Sequence, residues 1–188
     1  SSYTDLTKGD VFYNELHDTP SPPRPYGAAG WTEKDGDLIL YDRYDLWEFD
    51  PDTGVSERLT RGRETRTVYR YVALDQEKKY LDPKEPWLLT TFDEKDKSSG
   101  YASFDPRRKT VRSLLKGPYR YSRPSKAELA EKLLFTRESF QEFPDLRVSD
   151  MDFEQPVRIS NANPQQEQYR WGSIELVNWT SLDGRALT

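Results

Sequence analysis

LWEFDPDTGVSERLTRG at residues 46–62, YASFDPRRKTVRSLLKG at 101–117 and, more loosely, LRVSDMDFEQPVRISNAN at 146–163 are versions of one unit. Each is a run of alternating hydrophobic residues, a tight turn and a second short strand. The first two close on a basic-glycine pair, Arg61-Gly62 and Lys116-Gly117. Alternation with a period of two is the mark of a half-buried strand. A unit that recurs along the chain buries its apolar face only by stacking on its neighbours. The pattern therefore predicts an all-β protein built as part of a β-propeller, with about three four-stranded antiparallel blades.

Working outward, Gly9, Gly62 and Gly117 close successive units 53 and 55 residues apart. That exceeds a blade repeat of ~40 to 45 residues, so loops carry the surplus. YTDLTKG at 3–9 reads as the last strand of an earlier copy, and LDGRALT at 182–188 stops in mid-phrase. A closed propeller has four to eight blades, so the expectation is a fragment of a larger one. Its partial propeller spans 1–180, with blades at 28–62, 63–117 and 118–163 and single strands at each end.

Composition fits this scaffold. Trp 5, Tyr 12 and Phe 8 in 188 residues favour strands, and a 34% hydrophobic fraction with a mean hydropathy of -0.97 suits several thin sheets better than one large core. No stretch approaches the ~18 consecutive apolar residues of a membrane span, so no membrane partner is expected. A net charge of -5 with interspersed signs argues against nucleic acid, because phosphate binding needs a concentrated basic face. The densest basic piece, RLTRGRETRTVYR at 58–70, is broken by Glu64 and reads as a solvated blade edge. With no cysteine, disulfides and thiolate metal sites are excluded.

Within the blades, alternating strands are expected at 38–42, 44–50 and 55–60, then at 67–75, 86–93, 101–105 and 110–115, and finally at 119–123, 133–136, 146–149 and 157–160. DPDTG at 50–54 has Pro where a turn wants φ near -65° and Gly54 where a positive φ closes a hairpin. SKAELAEK at 125–132 has the composition of a helix, and Ser125 with Glu128 three residues on is a capping-box pattern. Tyr41, Trp47, Phe49, Tyr71, Leu89, Phe104, Leu134, Phe135 and Val148 are the expected core. DTPSPPRPYG at 18–27 is too rich in proline for a central strand and serves as a connection between blades.

Candidate chemistry is sparse. His17, the single histidine, would have to serve any triad, but it sits in a polar loop with no patterned nucleophile. Asp50, Asp52 and Gly54 imitate the start of a calcium loop without its bidentate Glu, so a hairpin turn is the reading. Glu33, Asp35 and Asp37 form a turn with Asp35-Gly36 at its tip. There is no glycine-rich phosphate loop and no G-x-S-x-G elbow. Asn178-Trp179-Thr180 is a formal glycosylation sequon. The sequence thus offers no catalytic, cofactor-binding or metal-ligating residue. Arg137 and Glu138 are the one candidate pair for peptide contact, with a salt-bridged strand end as the plainer alternative.

FTRESF at 135–140 followed by PDL, SNANPQQ at 160–166 and WTSLDG at 179–184 are specific phrases. With PYGAAGWTEKDGDLILYDRYDLWEFDP at 25–51 they resemble the end of the propeller domain in bacterial serine peptidases of the prolyl oligopeptidase family, the dipeptidyl-peptidase-IV-like branch included. The resemblance runs over nearly the whole chain. It implies that residues 174–180 lead out of the propeller and that 181–188 begin a linker into an α/β-hydrolase domain. The serine, aspartate and histidine of that domain would come later, so no catalytic residue carries over. The implied role is non-catalytic: gating or positioning peptide substrates over the hydrolase site of a parent peptidase, one that is periplasmic or secreted. The implied partners are the missing blades, the hydrolase domain and the parent's peptide substrate. The alternative is a free-standing propeller-like binding module. Bare terminal blades would make the fragment self-associate.

Overall fold

A computed structural model describes residues 11–187, so the strand expected at 3–9 lies outside the described residues. The first sheet holds β1 (Ala28–Trp31), β2 (Leu38–Tyr41), β3 (Leu46–Phe49) and β4 (Ser56–Arg58). The second holds β5 (Thr67–Tyr71), β6 (Trp87–Asp93), β7 (Ser99–Asp105) and β8 (Thr110–Gly117). Each is an antiparallel meander in sequence order. The third has five strands: β9 (Arg120–Tyr121), β10 (Ser125–Lys126), β11 (Leu133–Glu138), β12 (Asp145–Ser149) and β13 (Val157–Arg158). Strands β9 and β10 pair with opposite ends of β11 along the same edge, so they are the two halves of one broken strand. A last hairpin joins β14 (Trp179–Thr180) to β15 (Ala186–Leu187). The result is a nearly all-β, partial propeller.

The middle sheet is buried on both faces, and its sequence shows why. Trp87 and Leu89 of β6, with Phe104 of β7, pack toward Ile39, Tyr41 and Leu46 of the first sheet. The neighbouring residue Leu88, with Tyr101, packs the other way against Leu133, Phe135 and Phe153 of the third. Because adjacent strand residues point to opposite faces, WLL in β6 serves two cores. Tyr101 stacks on Phe153 with ring centroids 4.2 Å apart and donates its hydroxyl to the Ser122 carbonyl at 2.5 Å. Burial pushes that hydroxyl's pKa up.

The repeat has a polar lock that begins one residue before the quoted units. In the first sheet Asp45, wholly buried, accepts from the Thr60 hydroxyl at 2.7 Å and from the Gly62 N–H, while Thr60 Oγ1 accepts from Leu46 N at 3.1 Å. The third sheet repeats it: Asp145 accepts from the Ser160 hydroxyl at 2.6 Å and from Ala162 N at 2.8 Å, and Ser160 Oγ accepts from Leu146 N at 2.8 Å. Arg158 adds an ion pair to Asp145 at 2.5 Å, and Arg58 lies 3.8 Å from Asp45. The middle sheet has Gly100 in this place. A Cβ there would sit 1.8 Å from the Leu115 carbonyl, so β7 and β8 stay paired to Ser99 and Gly117.

Several expectations are corrected. Residues 125–132 are no helix: Ser125 and Lys126 pair with Leu134 and Leu133, and Lys132 N donates to the Ala130 carbonyl within a hairpin turn. Eight residues without an apolar face to dock cannot hold a helix in water, and Leu129 is 96% exposed. Leu134 is exposed, because Leu133 and Phe135 on either side take the buried face; Trp47, Tyr71 and Val148 are only half-buried. Tyr41, Phe49, Leu89, Phe104 and Phe135 are buried. The basic stretch at 58–70 runs from β4, the edge strand of the first sheet, through α1 (Gly62–Thr65) into β5, the edge strand of the second, and its arginines are paired as well as solvated: Arg63 with Glu15 at 2.6 Å, and Arg70 donating to the Asp42 carbonyl at 3.0 Å.

Replacing Asp45 by Ala strands the Thr60 hydroxyl and the Gly62 N–H away from water. The expected loss is about 2–4 kcal/mol of folding stability, read as a lower urea midpoint with an unchanged denaturant slope.

Candidate functional site

The pair singled out in the sequence, Arg137 and Glu138, ends β11, and strand alternation sends the two side chains to opposite faces. Each has its own partner. A turn follows in which the Ser139 hydroxyl oxygen accepts from Gln141 N at 3.2 Å and Glu142 N at 3.0 Å, while Ser139 N donates to the Glu142 carbonyl at 2.9 Å. This fold-back brings Glu142 over the strand end, where Arg137 grips it with two bonds of 2.8 and 2.6 Å. Arg147 on β12 adds a third at 3.1 Å, and the Arg137 guanidinium lies 4.1 Å from the centroid of the Tyr119 ring. Glu138 accepts from Arg120 at 2.7 Å.

Burial works to raise the Glu142 carboxyl, but the hydrogen bonds from Arg137 and Arg147 outweigh it and hold the group below the ordinary glutamate range. Glu142 is therefore an anion that fixes two arginines.

Beside this cluster lies a cleft of about 450 Å³ whose walls include Arg120, Glu138, Phe140, Phe143, Asn163, Gln166 and Trp171. Phe140, Phe143 and Trp171 are each about half exposed there. Trp171 donates its indole N–H to the Phe140 carbonyl at 2.6 Å, and Gln166 donates to the Gln141 carbonyl at 3.0 Å. Asn163, in the left-handed region at φ 55, starts the 3-10 turn Pro164–Gln168 that carries Gln166 to the cleft, and donates to the Gln166 side chain at 3.3 Å. The arrangement combines aromatic faces for apolar groups with amides and one ion pair for polar ones. Aromatic walls with a few convergent polar groups characterise sites for small ligands and short peptide segments.

A larger cavity of about 610 Å³ opens between the second and third sheets, but its charges neutralise one another: Lys78 pairs with Glu85 at 2.8 Å and Arg112 with Asp152 at 2.5 Å. His17 lies in a Pro-rich turn, with Nε2 3.1 Å from Thr19 Oγ1 and 3.3 Å from Ser21 Oγ. Asp50 spends its oxygens on its own turn, accepting from Asp52 N, Thr53 N and the Thr53 hydroxyl at 2.8, 3.1 and 2.7 Å. Glu33–Asp35 is a 3-10 turn closed by Asp37 N donating to the Thr32 hydroxyl oxygen at 2.7 Å. Among the described residues no group of three or more His, Asp or Glu is placed to hold a metal ion.

No family model matches the chain, and no curated relative matches it with significance. Solved structures do. An oligogalacturonate lyase in complex with manganese superposes with a TM-score of 0.53 at 11% identity, over 71% of this chain and 39% of that one. A puromycin hydrolase superposes at 0.52 and 16%, over 85% of this chain and 24% of that one. The chain thus spans well under half the length of either. These structural neighbours include propeller domains, which agrees with the partial propeller seen here.

Glu142→Gln tests the arginine cluster through pH. A carboxyl held below its unfolded value stabilises the fold above the ordinary glutamate range, and the contribution is lost as pH falls through the folded value. The wild-type advantage in thermal midpoint over the variant is expected to be full near neutrality and to close on acidification below about pH 4. A gap that stays constant across that range would mean the carboxylate charge contributes nothing.

Proposed function

We propose that this propeller segment is the non-catalytic part of a serine peptidase of the prolyl oligopeptidase family, gating or positioning peptide substrates over an active site carried elsewhere. One observation carries the reading. FTRESF, PDL and SNANPQQ, the phrases on which the family resemblance rests, are separated along the chain, yet they supply Glu138, Ser139, Phe140, Pro144, Asn163 and Gln166 to a single cleft. Residues that only fill a core would have no reason to converge on a half-exposed aromatic pocket.

The physical role follows from shape. Blades standing over a hydrolase site admit short or flexible peptides and exclude folded proteins. A cleft of this volume suits one or two peptide side chains against Phe140 and Trp171, with Asn163 and Gln166 beside them to meet main-chain groups.

Two measurements test it. Titration of the 188-residue chain with short peptides, followed by tryptophan fluorescence, is expected to show binding that Phe140→Ala or Trp171→Ala weakens about tenfold. Proline-containing chromogenic dipeptides are expected to give background rates. Turnover that survives repurification and yields to a serine-directed inhibitor would overturn the non-catalytic assignment. Peptide binding indifferent to both aromatic variants would favour a binding module with its site elsewhere.

A further inference from the structure

The cavity of about 610 Å³ between the second and third sheets is walled on both sides by this chain. Its lining includes Val72 and Leu88, which are buried, and Tyr71, Leu74, Leu114 and Met151, which are partly so. Sites for small ligands measure roughly 300–1,000 Å³ and set a few polar groups among apolar walls. The rest of one wall is the connection 72–86 between β5 and β6, and that connection is anchored. Leu81, 3% exposed, donates its N–H to the Trp31 carbonyl of the first sheet at 2.8 Å, and the Asp82 carbonyl accepts from the Trp87 indole N–H at 2.8 Å. Two aspartates close its turns: Asp75 accepts from Glu77 N at 2.9 Å and Lys78 N at 3.3 Å, and Asp82 accepts from Lys84 N at 2.8 Å.

Charge decides what such a space would take. At the rim, Arg112–Asp152 at 2.5 Å and Lys126–Glu131 at 2.9 Å cancel. Along the connection a single cation, Lys78, stands among three carboxylates. Its ammonium group lies 2.8 Å from Glu85 and 3.7 Å from Asp82, and among the described residues no cation pairs with Asp75. The Lys84 N–H and the Lys78 charge hold the Asp82 carboxyl below the ordinary aspartate range, so it is an anion at neutral pH. Beyond its ion pairs the lining therefore has carboxylates to spare, five against three cations. Lys78 already places an ammonium group beside Glu85 and Asp82 and shows what this wall accepts.

We propose that the cavity binds a small organic amine, its ammonium group beside Asp75, Asp82 and Glu85 and its apolar body against Leu74, Leu114 and Met151. Lys78 is the internal competitor for the same carboxylates, and its long flexible stem lets it turn out to solvent when the ligand enters. Met151 suits the apolar end, because an unbranched thioether adapts to ligands of different shape. This inference stands apart from the peptidase reading and does not use the aromatic cleft.

Calorimetric titration of the 188-residue chain with phenethylamine, and with 2-phenylethanol as its uncharged counterpart, tests the site. The amine is expected to bind about tenfold more tightly than the alcohol. Asp75→Asn combined with Asp82→Asn removes two charges and keeps the oxygens that close the turns, so the fold is retained. That double variant is expected to weaken the amine about tenfold and leave the alcohol unchanged. Lys78→Met removes the internal cation, keeps an apolar stem and is expected to tighten amine binding, and Leu114→Trp, which fills the cavity, to abolish it. Circular dichroism checks that each variant is folded. If Leu114→Trp fails to fold, the double asparagine variant decides. The proposal is overturned if the amine shows no saturable binding at millimolar concentration, if amine and alcohol bind alike, or if the double variant binds the amine as the wild type does. Tighter binding of Nα-acetyl-lysine methylamide than of phenethylamine would assign the cavity to a peptide side chain and likewise overturn it.

Discussion

Asp45 is wholly buried, and the first sheet is built around satisfying it. An unpaired buried carboxylate would cost several kcal/mol, so the chain has to return to it from residues 60 to 63. Thr60 gives a hydroxyl, and Gly62 and Arg63 give backbone N–H groups. That return fixes where β4 ends and aims the chain at β5. It also dictates Gly62, because a Cβ there would lie 2.0 Å from the Thr67 carbonyl and 3.0 Å from the aspartate itself. One polar group thus sets strand length, crossover direction and the residue at the turn.

Stacking rests on a second constraint, the two-sided burial of the middle sheet. Trp87 and Leu89 belong to one core and Leu88 and Tyr101 to the other, so a one-residue slip of β6 would exchange the residues facing each. The long β6, β7 and β8, paired from Asp105 back to Ser99, resist such a slip. Here the aspartate lock is replaced by Gly100 and a long ladder with a single bulge between Tyr101 and Ala102. The flanking sheets have shorter strands and keep the lock.

Sequence made the β-architecture legible because period-two alternation reports burial directly. It failed where burial depends on what lies opposite. Leu134 looked as apolar as Phe135, but only one of two adjacent residues can face the core. Residues 125–132 carried good helix composition and no apolar face, and the edge of β11 claimed Ser125 and Lys126. Ala28–Trp31 carries no strand signal, since AAGW shows no alternation. Arg137 and Glu138 are neighbours in sequence and look like one pair, whereas the turn at 139–144 supplies Glu142 as the partner of the arginine. The aspartates stood one residue before each quoted repeat. Their signal was D-L, eleven residues, then R-L-T-x-G or R-I-S-x-A. Of the cleft only Glu138 and the phrases around it stand out in the sequence; that they form one site does not, because the segments at 138–144 and 163–171 meet only through tertiary contacts.

The lock and the cleft are connected in the third sheet. Asp145 holds Ser160 and Ala162 as Asp45 holds Thr60 and Gly62, but whereas β5 begins five residues after Gly62, the next described strand here, β14, begins only at Trp179. Alanine stands at the place of Gly62, and the backbone departs through Asn163 into a 3-10 turn. That turn sets Gln166 against the Gln141 carbonyl and leads on to Trp171, which reaches the Phe140 carbonyl. Asp145, the counterpart of the aspartate that ends the blade in the first copy, therefore holds the chain at Ser160 and Ala162, next to Asn163 of the aromatic cleft. A device for closing sheets becomes the support of a site wherever the chain leaves the repeat.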